Sequence, residues 1–284
     1  MLDTIIIGNG PAGISAALYI QRAGLKSLII GKDSGALAKA EKIENYYGFV
    51  NPISGKELVS NGLLQAKRLG AQYINDEVTG LSYDGNFTVY TANKNFSSKS
   101  VLIATGKVKN KPRFKGLEEF EGNGISYCAV CDGFFYRGKD VAVIGSSDYA
   151  LHEAKELLPL VKSLTLLTDG NNLTINVPPS IKVNRKKIRS VEGTDFAEKI
   201  SFEDGSKMHT DGIFIAAGSA SSSDLAKKIG AEIDKDNIVV DENLHTNIDG
   251  LFAAGDCTGG MLQISKAVYE GSKAGTEIIK YVRS

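Results

Sequence analysis

The chain opens on a strand that runs straight into Gly8-Asn9-Gly10-Pro11-Ala12-Gly13, and this spacing constrains the fold more than any other feature of the sequence. Residues 3–8 read as a short buried strand, 11–23 place small and apolar residues at helical spacing, and 25–30 read as a second strand. In such a strand-helix-strand unit the first glycine makes the tight turn. The second lets backbone approach a pyrophosphate, and the third lets helix pack on strand. The helix start then offers amides and a positive dipole to the phosphates. The unit predicts a parallel α/β sheet with a dinucleotide at its edge. One position departs from the pattern: the second strand ends in Gly31-Lys32, where an acidic residue for the ribose is expected.

The same pattern returns later in the chain. Residues 140–144 read as a strand, 148–160 as a helix and 163–167 as a strand. A hairpin turns at Asp204-Gly205, and a strand at 212–217 ends in Ala216-Ala217-Gly218. That ending echoes Ile103-Ala104-Thr105-Gly106, which closes a strand in the first copy. Between the copies, residues 107–115 are polar, basic and contain Pro112, as an interdomain connection would be. Around 243–250 the chain returns to the first copy, finishing with a strand at 251–254, the turn Gly255-Asp256 and a long helix over 262–281. The expected fold class is α/β, with two Rossmann-like three-layer domains, the second inserted into the first. The expected boundaries are 1–109 with 244–284, and 110–243. In the second copy the glycine turn reads Gly145-Ser146-Ser147-Asp148-Tyr149-Ala150, so Ser147 stands where backbone would meet a pyrophosphate.

Composition excludes some functions. The chain has 284 residues, 42% hydrophobic and 23% charged, with 33 basic and 33 acidic side chains. Zero net charge argues against nucleic acid or an anionic membrane as the main partner, since both select for basic excess. No apolar run has the length of a membrane span. Met1 leads almost directly into Ile5-Ile6-Ile7, which is too short for a secretion signal. Three cysteines, two of them spaced C-x-x-C, fit a reducing cytoplasm better than a secreted disulfide framework.

The chemistry centres on Cys128-Ala129-Val130-Cys131-Asp132. Two thiols at this spacing can close a small disulfide ring, and a helix start or nearby cation can lower the pKa of one of them. The spacing also suits zinc, which needs four ligands in a structural site. The remaining candidates, Cys257, His152, His209 and His245, are scattered singly, so no metal site is expected. Asp132 can pass protons to and from a thiolate, and can equally cap a helix. Cys257 follows Gly255-Asp256 without a partner at ring-forming spacing and reads as an inert buried thiol.

From end to end the chain resembles the low-molecular-weight thioredoxin reductases. The resemblance is carried by Gly8 to Gly13, Glu41-Lys-Ile-Glu-Asn45-Tyr-Tyr-Gly48-Phe, Ile103-Ala-Thr-Gly106, Cys128-Ala-Val-Cys131-Asp132-Gly133 and Leu251-Phe-Ala-Ala-Gly255-Asp256. It implies FAD as cofactor. Gly8, Gly10, Pro11, Ala12 and Gly13 would hold the pyrophosphate, and Asp256, beside Gly255, a ribityl hydroxyl. Asn45, Thr105, Gln263 and Ile264 would lie along the flavin, with Gly31, Lys32, Val78, Ala104 and Gly106 completing the cofactor set. That family also lacks the ribose acid at the position of Gly31. By the same resemblance Cys131 would take electrons from the flavin, Cys128 would form the mixed disulfide with thioredoxin, and Asp132 would be the acid-base residue. A cytoplasmic homodimer is implied.

The nucleotide-binding half of the family pattern is incomplete. NADPH-using members carry a glycine-rich turn and then a His-Arg-Arg cluster in the inserted domain. Here Ser147 interrupts the turn, and Leu166-Leu-Thr-Asp169-Gly-Asn-Asn172 contains no arginine. Asp169 lies 24 residues after Gly145, where a carboxylate would bind the ribose of NADH, so an NADH-driven enzyme stays open. Met261-Leu262-Gln263 and Ser34-Gly35-Ala36 also differ from the family. A subgroup, the ferredoxin-dependent flavin thioredoxin reductases, lacks the NADPH signature, and this chain is similar to it. Reduced ferredoxin would then be the donor, because flavin can accept electrons singly and pass on a pair. An acidic ferredoxin would need a local basic patch: Lys107, Lys109, Lys111, Arg113 and Lys115, or Arg185, Lys186, Lys187 and Arg189. Either cluster also reads as an ordinary solvated surface. The other readings are use of NADPH through an unusual site, a second flavin in the inserted domain, or a non-enzymatic redox sensor.

Overall fold

A computed structural model describes residues 1–107 and 112–284. It divides into two compact units, one comprising Met1–Lys107 and Ser221–Ser284, the other Val108–Ala220. The first unit opens with β1 (Leu2–Ile7), α1 (Pro11–Arg22) and β2 (Ser27–Gly31). Ile5–Ile7 of β1 and Leu28–Ile30 of β2 are apolar and buried on both faces, as a parallel central sheet requires. Next come α2 (Gly55–Arg68), β3 (Gln72–Asn75), β4 (Val78–Tyr83), β5 (Phe87–Thr91) and β6 (Asn95–Ile103). Helix α2 starts where the Ser54 hydroxyl accepts the Glu57 amide at 3.1 Å. The sheet order is β3-β2-β1-β6-β5-β4, parallel from β3 through to β6 and antiparallel in the β4–β6 meander. The polar first half of β6 pairs with β5, and only its second half is apolar core.

The second unit holds β7 (Ile125–Ser126), the short α3 (Ala129–Asp132), β8 (Asp140–Ile144), α4 (Asp148–Leu157), β9 (Ser163–Leu167) and β10 (Lys182–Asn184). A meander β11 (Ile188–Gly193), β12 (Ala197–Phe202) and β13 (Lys207–His209) and the strand β14 (Gly212–Ile215) complete it. Its parallel sheet has the order β10-β9-β8-β14-β7, and β11-β12-β13 form a separate antiparallel sheet. Leu117, Phe120, Ile144, Leu167, Ile200 and Phe202 share one apolar core.

The chain then re-enters the first unit through α5 (Ser222–Lys227), the pair β15 (Ile233–Asp234) and β16 (Asn237–Ile238), β17 (Leu251–Ala253) and α6 (Ile264–Arg283). The return begins at Ser221, not near 244 as the sequence reading had it. Ser221 and Asp224 form a reciprocal capping box, Leu225 and Ala226 are buried, and the Lys228 ammonium donates to the Thr79 carbonyl at 3.1 Å. Strand β17 pairs in parallel with β6, and α6 lies along α1. Both units therefore share one five-strand order: β3-β2-β1-β6-β17 in the first, β10-β9-β8-β14-β7 in the second. Burying one isoleucine side chain such as Ile5, Ile6 or Ile29 of the first sheet stabilises it by about 2 kcal/mol.

Candidate active site

In the first unit the parallel register aligns the carboxyl ends of β1, β2, β6 and β17. Ile7 stands beside Ile30 and Ile103, and Ala253 beside Ile103. Gly31, Gly8, Ala104 and Gly255 therefore follow one another along a single sheet edge, where α/β folds place ligands. The Gly8 amide donates to Ile30 O at 2.8 Å and the Ala104 amide to Ile7 O at 2.8 Å. Gly8 has φ +117°, and a Cβ on it would overlap the Ala104 carbonyl, so the fold itself demands glycine there. Gly10 is different. Its φ is −80°, which any residue adopts, and a Cβ on it would meet nothing within 4 Å. The protein alone gives no reason for that missing side chain, whereas a pyrophosphate against the backbone does.

Helix α1 begins at this point with Pro11, no acidic residue in its first turn and no side chain capping its amides. Ala12 and Gly13 follow in the same turn. This donor set fits a diphosphate. Lys32 leaves the end of β2 and pairs with Glu77 at 2.7 Å, one residue before Val78 opens β4. Thr105 and Gly106 continue from β6, and Asp256 from the turn after β17. Asn45 and Gln263 are 218 positions apart, and the Asn45 amide donates to Gln263 Oε1 at 3.1 Å immediately before Ile264 opens α6.

Sequence reasoning missed what holds the Gly255-Asp256 turn. Glu270 accepts the Gly255 amide at 2.7 Å, while the Lys266 ammonium donates to the carbonyls of Gly255 and Gly259 at 2.8 and 2.6 Å. Lys266 and Glu270 also pair with each other at 3.0 Å. The i,i+4 spacing on a predicted helix was the available signal. Cys257 lies beneath this turn, fully buried, and desolvation pushes its thiol up to about 12.

The second unit repeats the edge in register. Ile144 stands beside Leu167 and Ile215, and Gly145 donates to Leu167 O at 2.9 Å. Here, however, the crevice is bridged by its own side chains. The Ser147 hydroxyl donates to Gly218 O at 2.5 Å, tying the turn after β8 to the turn after β14. Thr174 donates through both its amide and its hydroxyl to Ser146 O, at 3.2 and 3.1 Å. Asp148 adds a negative charge to the first turn of α4, where a diphosphate would need positive potential. Asp169 has φ +51°, and its Oδ1 accepts the Ile188 amide at 2.7 Å, so its carboxylate anchors the entry to β11.

The redox turn follows β7, the strand that takes the place of β17 in this sheet. Cys128 and Cys131 form a disulfide. Cys128 is 4% exposed, whereas Cys131 is exposed. The Cys131 amide donates to Cys128 Sγ at 3.1 Å, and the Asp132 amide to Cys128 O at 3.1 Å. Behind the turn, the buried Glu153 of α4 accepts the Ala129 amide at 2.8 Å. Beyond it, Phe134 and Phe135 are exposed aromatics. Burial, and to a lesser degree the charge of Asp132, raises the Tyr136 phenol above its ordinary range. Among the described residues no three His, Cys, Asp or Glu side chains are grouped to hold a metal ion, and no helix is long and apolar enough to cross a membrane.

A backbone cradle that fits a dinucleotide and a C-x-x-C disulfide on one chain are the parts of a flavoprotein disulfide reductase. Comparison with known proteins agrees. The pattern of the pyridine nucleotide-disulphide oxidoreductase family matches residues 2–271. Thioredoxin reductase of Aquifex aeolicus is 35% identical over 303 residues, covering 99% of this chain and 93% of the relative. Among solved structures, the atypical thioredoxin reductase TRi of Desulfovibrio vulgaris Hildenborough is 40% identical with a TM-score of 0.94, covering 100% of this chain and 98% of that one. A ferredoxin-flavin thioredoxin reductase of Clostridium acetobutylicum is 28% identical with a TM-score of 0.72, covering 98% and 97%. The chain belongs to the pyridine nucleotide-disulphide oxidoreductase family, in its low-molecular-weight thioredoxin reductase class, and is an FAD-binding flavoprotein.

Proposed function

We propose that this flavoprotein reduces thioredoxin through Cys128 and Cys131 with electrons from reduced ferredoxin, and without NADPH or NADH. The observation that carries the donor assignment is the hydrogen bond from Ser147 to Gly218 O across the second crevice. Asp148 opposes the phosphates there, and Asp169, the residue that favoured NADH, is engaged with the Ile188 amide. Similarity to the ferredoxin-flavin thioredoxin reductase of Clostridium acetobutylicum supports ferredoxin as the alternative source.

In this reading Gly8, Gly10, Pro11, Ala12 and Gly13 hold the pyrophosphate of FAD on the start of α1. Gly31, Lys32 and Val78 border its adenosine end, Gly255 and Asp256 its ribityl chain. Ala104, Thr105, Gly106, Asn45, Gln263 and Ile264 border the flavin ring. Bound there, the flavin supplies the conversion between one-electron delivery and two-electron disulfide reduction. Cys131 is the sulfur that receives electrons, Cys128 attacks the thioredoxin disulfide, and Asp132 moves the proton. With Cys128 only 4% exposed, that attack requires a conformation in which it is uncovered. The exposed rings of Phe134 and Phe135 beside the redox turn suit a protein substrate.

For an acidic ferredoxin, the second basic cluster presents Arg185 and Arg189 to solvent, while Lys186 and Lys187 pair with Asp204 and Glu203 at 2.8 and 3.0 Å. In the first cluster Lys109 and Lys111 lie outside the described residues; Lys107, Arg113 and Lys115 are within them. A cytoplasmic homodimer completes the proposal. Steady-state reduction of thioredoxin tests it: turnover with reduced ferredoxin is expected, and Cys128→Ser and Cys131→Ser should each abolish it while FAD stays bound. Turnover surviving either substitution would refute the dithiol route.

A further inference from the structure

Ser126 is the last residue of β7, and its hydroxyl is buried between the two parts of the redox turn that must cooperate. Its Oγ lies 2.6 Å from Asp132 Oδ2 and 3.1 Å from the Cys128 amide nitrogen. A hydroxyl has one proton to donate, and the 2.6 Å contact with the carboxylate takes it in preference to Cys128 O at 3.4 Å. The chain therefore has one direction: Cys128 N–H donates to Ser126 Oγ, and Ser126 O–H donates to Asp132. Successive bonds of this kind strengthen one another in a poorly solvated site. Nothing else about Ser126 calls for a hydroxyl: it lies in an otherwise apolar strand against Phe214 of β14.

We infer that Ser126 is a positioning residue for thiol-disulfide exchange, acting through Asp132; this rests on the acid-base role proposed for Asp132 above. With Oδ2 engaged by Ser126, Oδ1 is the oxygen that carries the proton, and the Cys128 amide fixes the carboxylate relative to the sulfur that reacts. In the exchange, Cys128 thiolate attacks one sulfur of the substrate disulfide. The substrate S–S bond breaks, and the departing thiolate takes a proton from Asp132. Asp132 regains a proton from the Cys131 thiol, whose thiolate then attacks Cys128 Sγ. The enzyme disulfide closes as the second substrate thiolate leaves and takes its proton from solvent. Two electrons pass from the enzyme dithiol to the substrate. Ser126 donates no proton in either step; it sets the rotamer and the free oxygen of the group that does.

The test uses FAD-loaded enzyme reduced with dithionite and mixed with oxidised thioredoxin, so it is independent of the physiological donor. Ser126→Ala should slow reoxidation about tenfold, the loss expected when a hydrogen bond that aims an acid-base group is removed. Ser126→Thr keeps the hydroxyl and should restore the rate, which guards against a folding defect in the alanine variant. The deciding arm is the pair Asp132→Asn and Ser126→Ala with Asp132→Asn: once Asp132 cannot transfer the proton, removing the hydroxyl should change little further. An equal slowing in both backgrounds would overturn the inference, because Ser126 would then act without Asp132. A fast Asp132→Asn single variant would refute the role of Asp132 itself, and with it this inference, and is recognisable without any Ser126 variant.

Discussion

Replacing Gly10 by alanine should separate binding of the cofactor from folding. At φ −80°, with nothing within 4 Å of an added Cβ, the substitution asks nothing of the fold. Loss of unfolded-state freedom favours the variant, and alanine's weaker N-cap preference opposes it, so apoprotein stability should stay within about 1 kcal/mol of the parent. The methyl group does project into the space assigned to the pyrophosphate. Pushing the phosphates off the α1 amides forfeits charge-assisted hydrogen bonds worth about 1.5–3 kcal/mol each, so two of them correspond to a hundredfold or greater loss in FAD affinity. Gly8→Ala is the control, with φ +117° and the Ala104 carbonyl in the way, and should cost folding itself. The assay is FAD binding to apoprotein by fluorescence quenching, paired with denaturant unfolding of the apo form. A Gly10→Ala protein that binds FAD with unchanged affinity would refute the placement of the pyrophosphate.

Other consequences follow from single groups. Thiol titration of the native, reduced enzyme should leave Cys257 unmodified, because it is fully buried with its thiol pushed up to about 12; rapid labelling of Cys257 would contradict that burial. Glu153→Ala leaves the buried Ala129 amide without its acceptor and should destabilise the second unit by about 2 kcal/mol in denaturant unfolding, Glu153→Gln much less. Equal stability of Glu153→Ala and parent would show that contact to be dispensable. Hydrogen bonds from Ser201, Lys207 and Ser190 depress the Glu192 carboxyl from its ordinary 4.5 to about 2. The stability it contributes is therefore complete above 4.5 and disappears as pH falls through about 2, and Glu192→Gln should flatten the unfolding midpoint across that window.

The glycine turn of the first unit was legible because close approach of backbone to backbone leaves a local signature, and Gly8 carries both parts of it, a positive φ and no room for Cβ. The duplication was legible for the same reason, since Gly145 sits against Ala216 as Gly8 sits against Ala104. What bridges the second crevice was not. Ser147 looked like a missing glycine, but its function depends on Gly218, 71 residues away, and no local pattern announces that contact. The spacing of Asp169 suits a ribose ligand; that its Oδ1 also accepts the Ile188 amide depends on how β11 leaves the turn, which no spacing shows. The re-entry at Ser221 had a visible signal, the Ser221-x-x-Asp224 cap, in a segment whose short helix and two-residue strands give weak periodicity. Glu153 was unreadable because it acts on a main-chain amide of the Cys128–Cys131 turn that only the packing of α4 brings within reach, whereas Ser126 reaches the Cys128 amide two residues on, a local contact the sequence reading passed over.

The central claim is that electrons do not enter through a pyridine nucleotide. Anaerobic titration of the FAD-loaded enzyme, followed at the flavin absorbance band, tests it directly. Reduced ferredoxin should bleach the flavin, and NADPH and NADH should leave it oxidised even in large excess. Prompt bleaching by either nucleotide, with no response to ferredoxin, would contradict the reading of Ser147, Asp148 and Asp169.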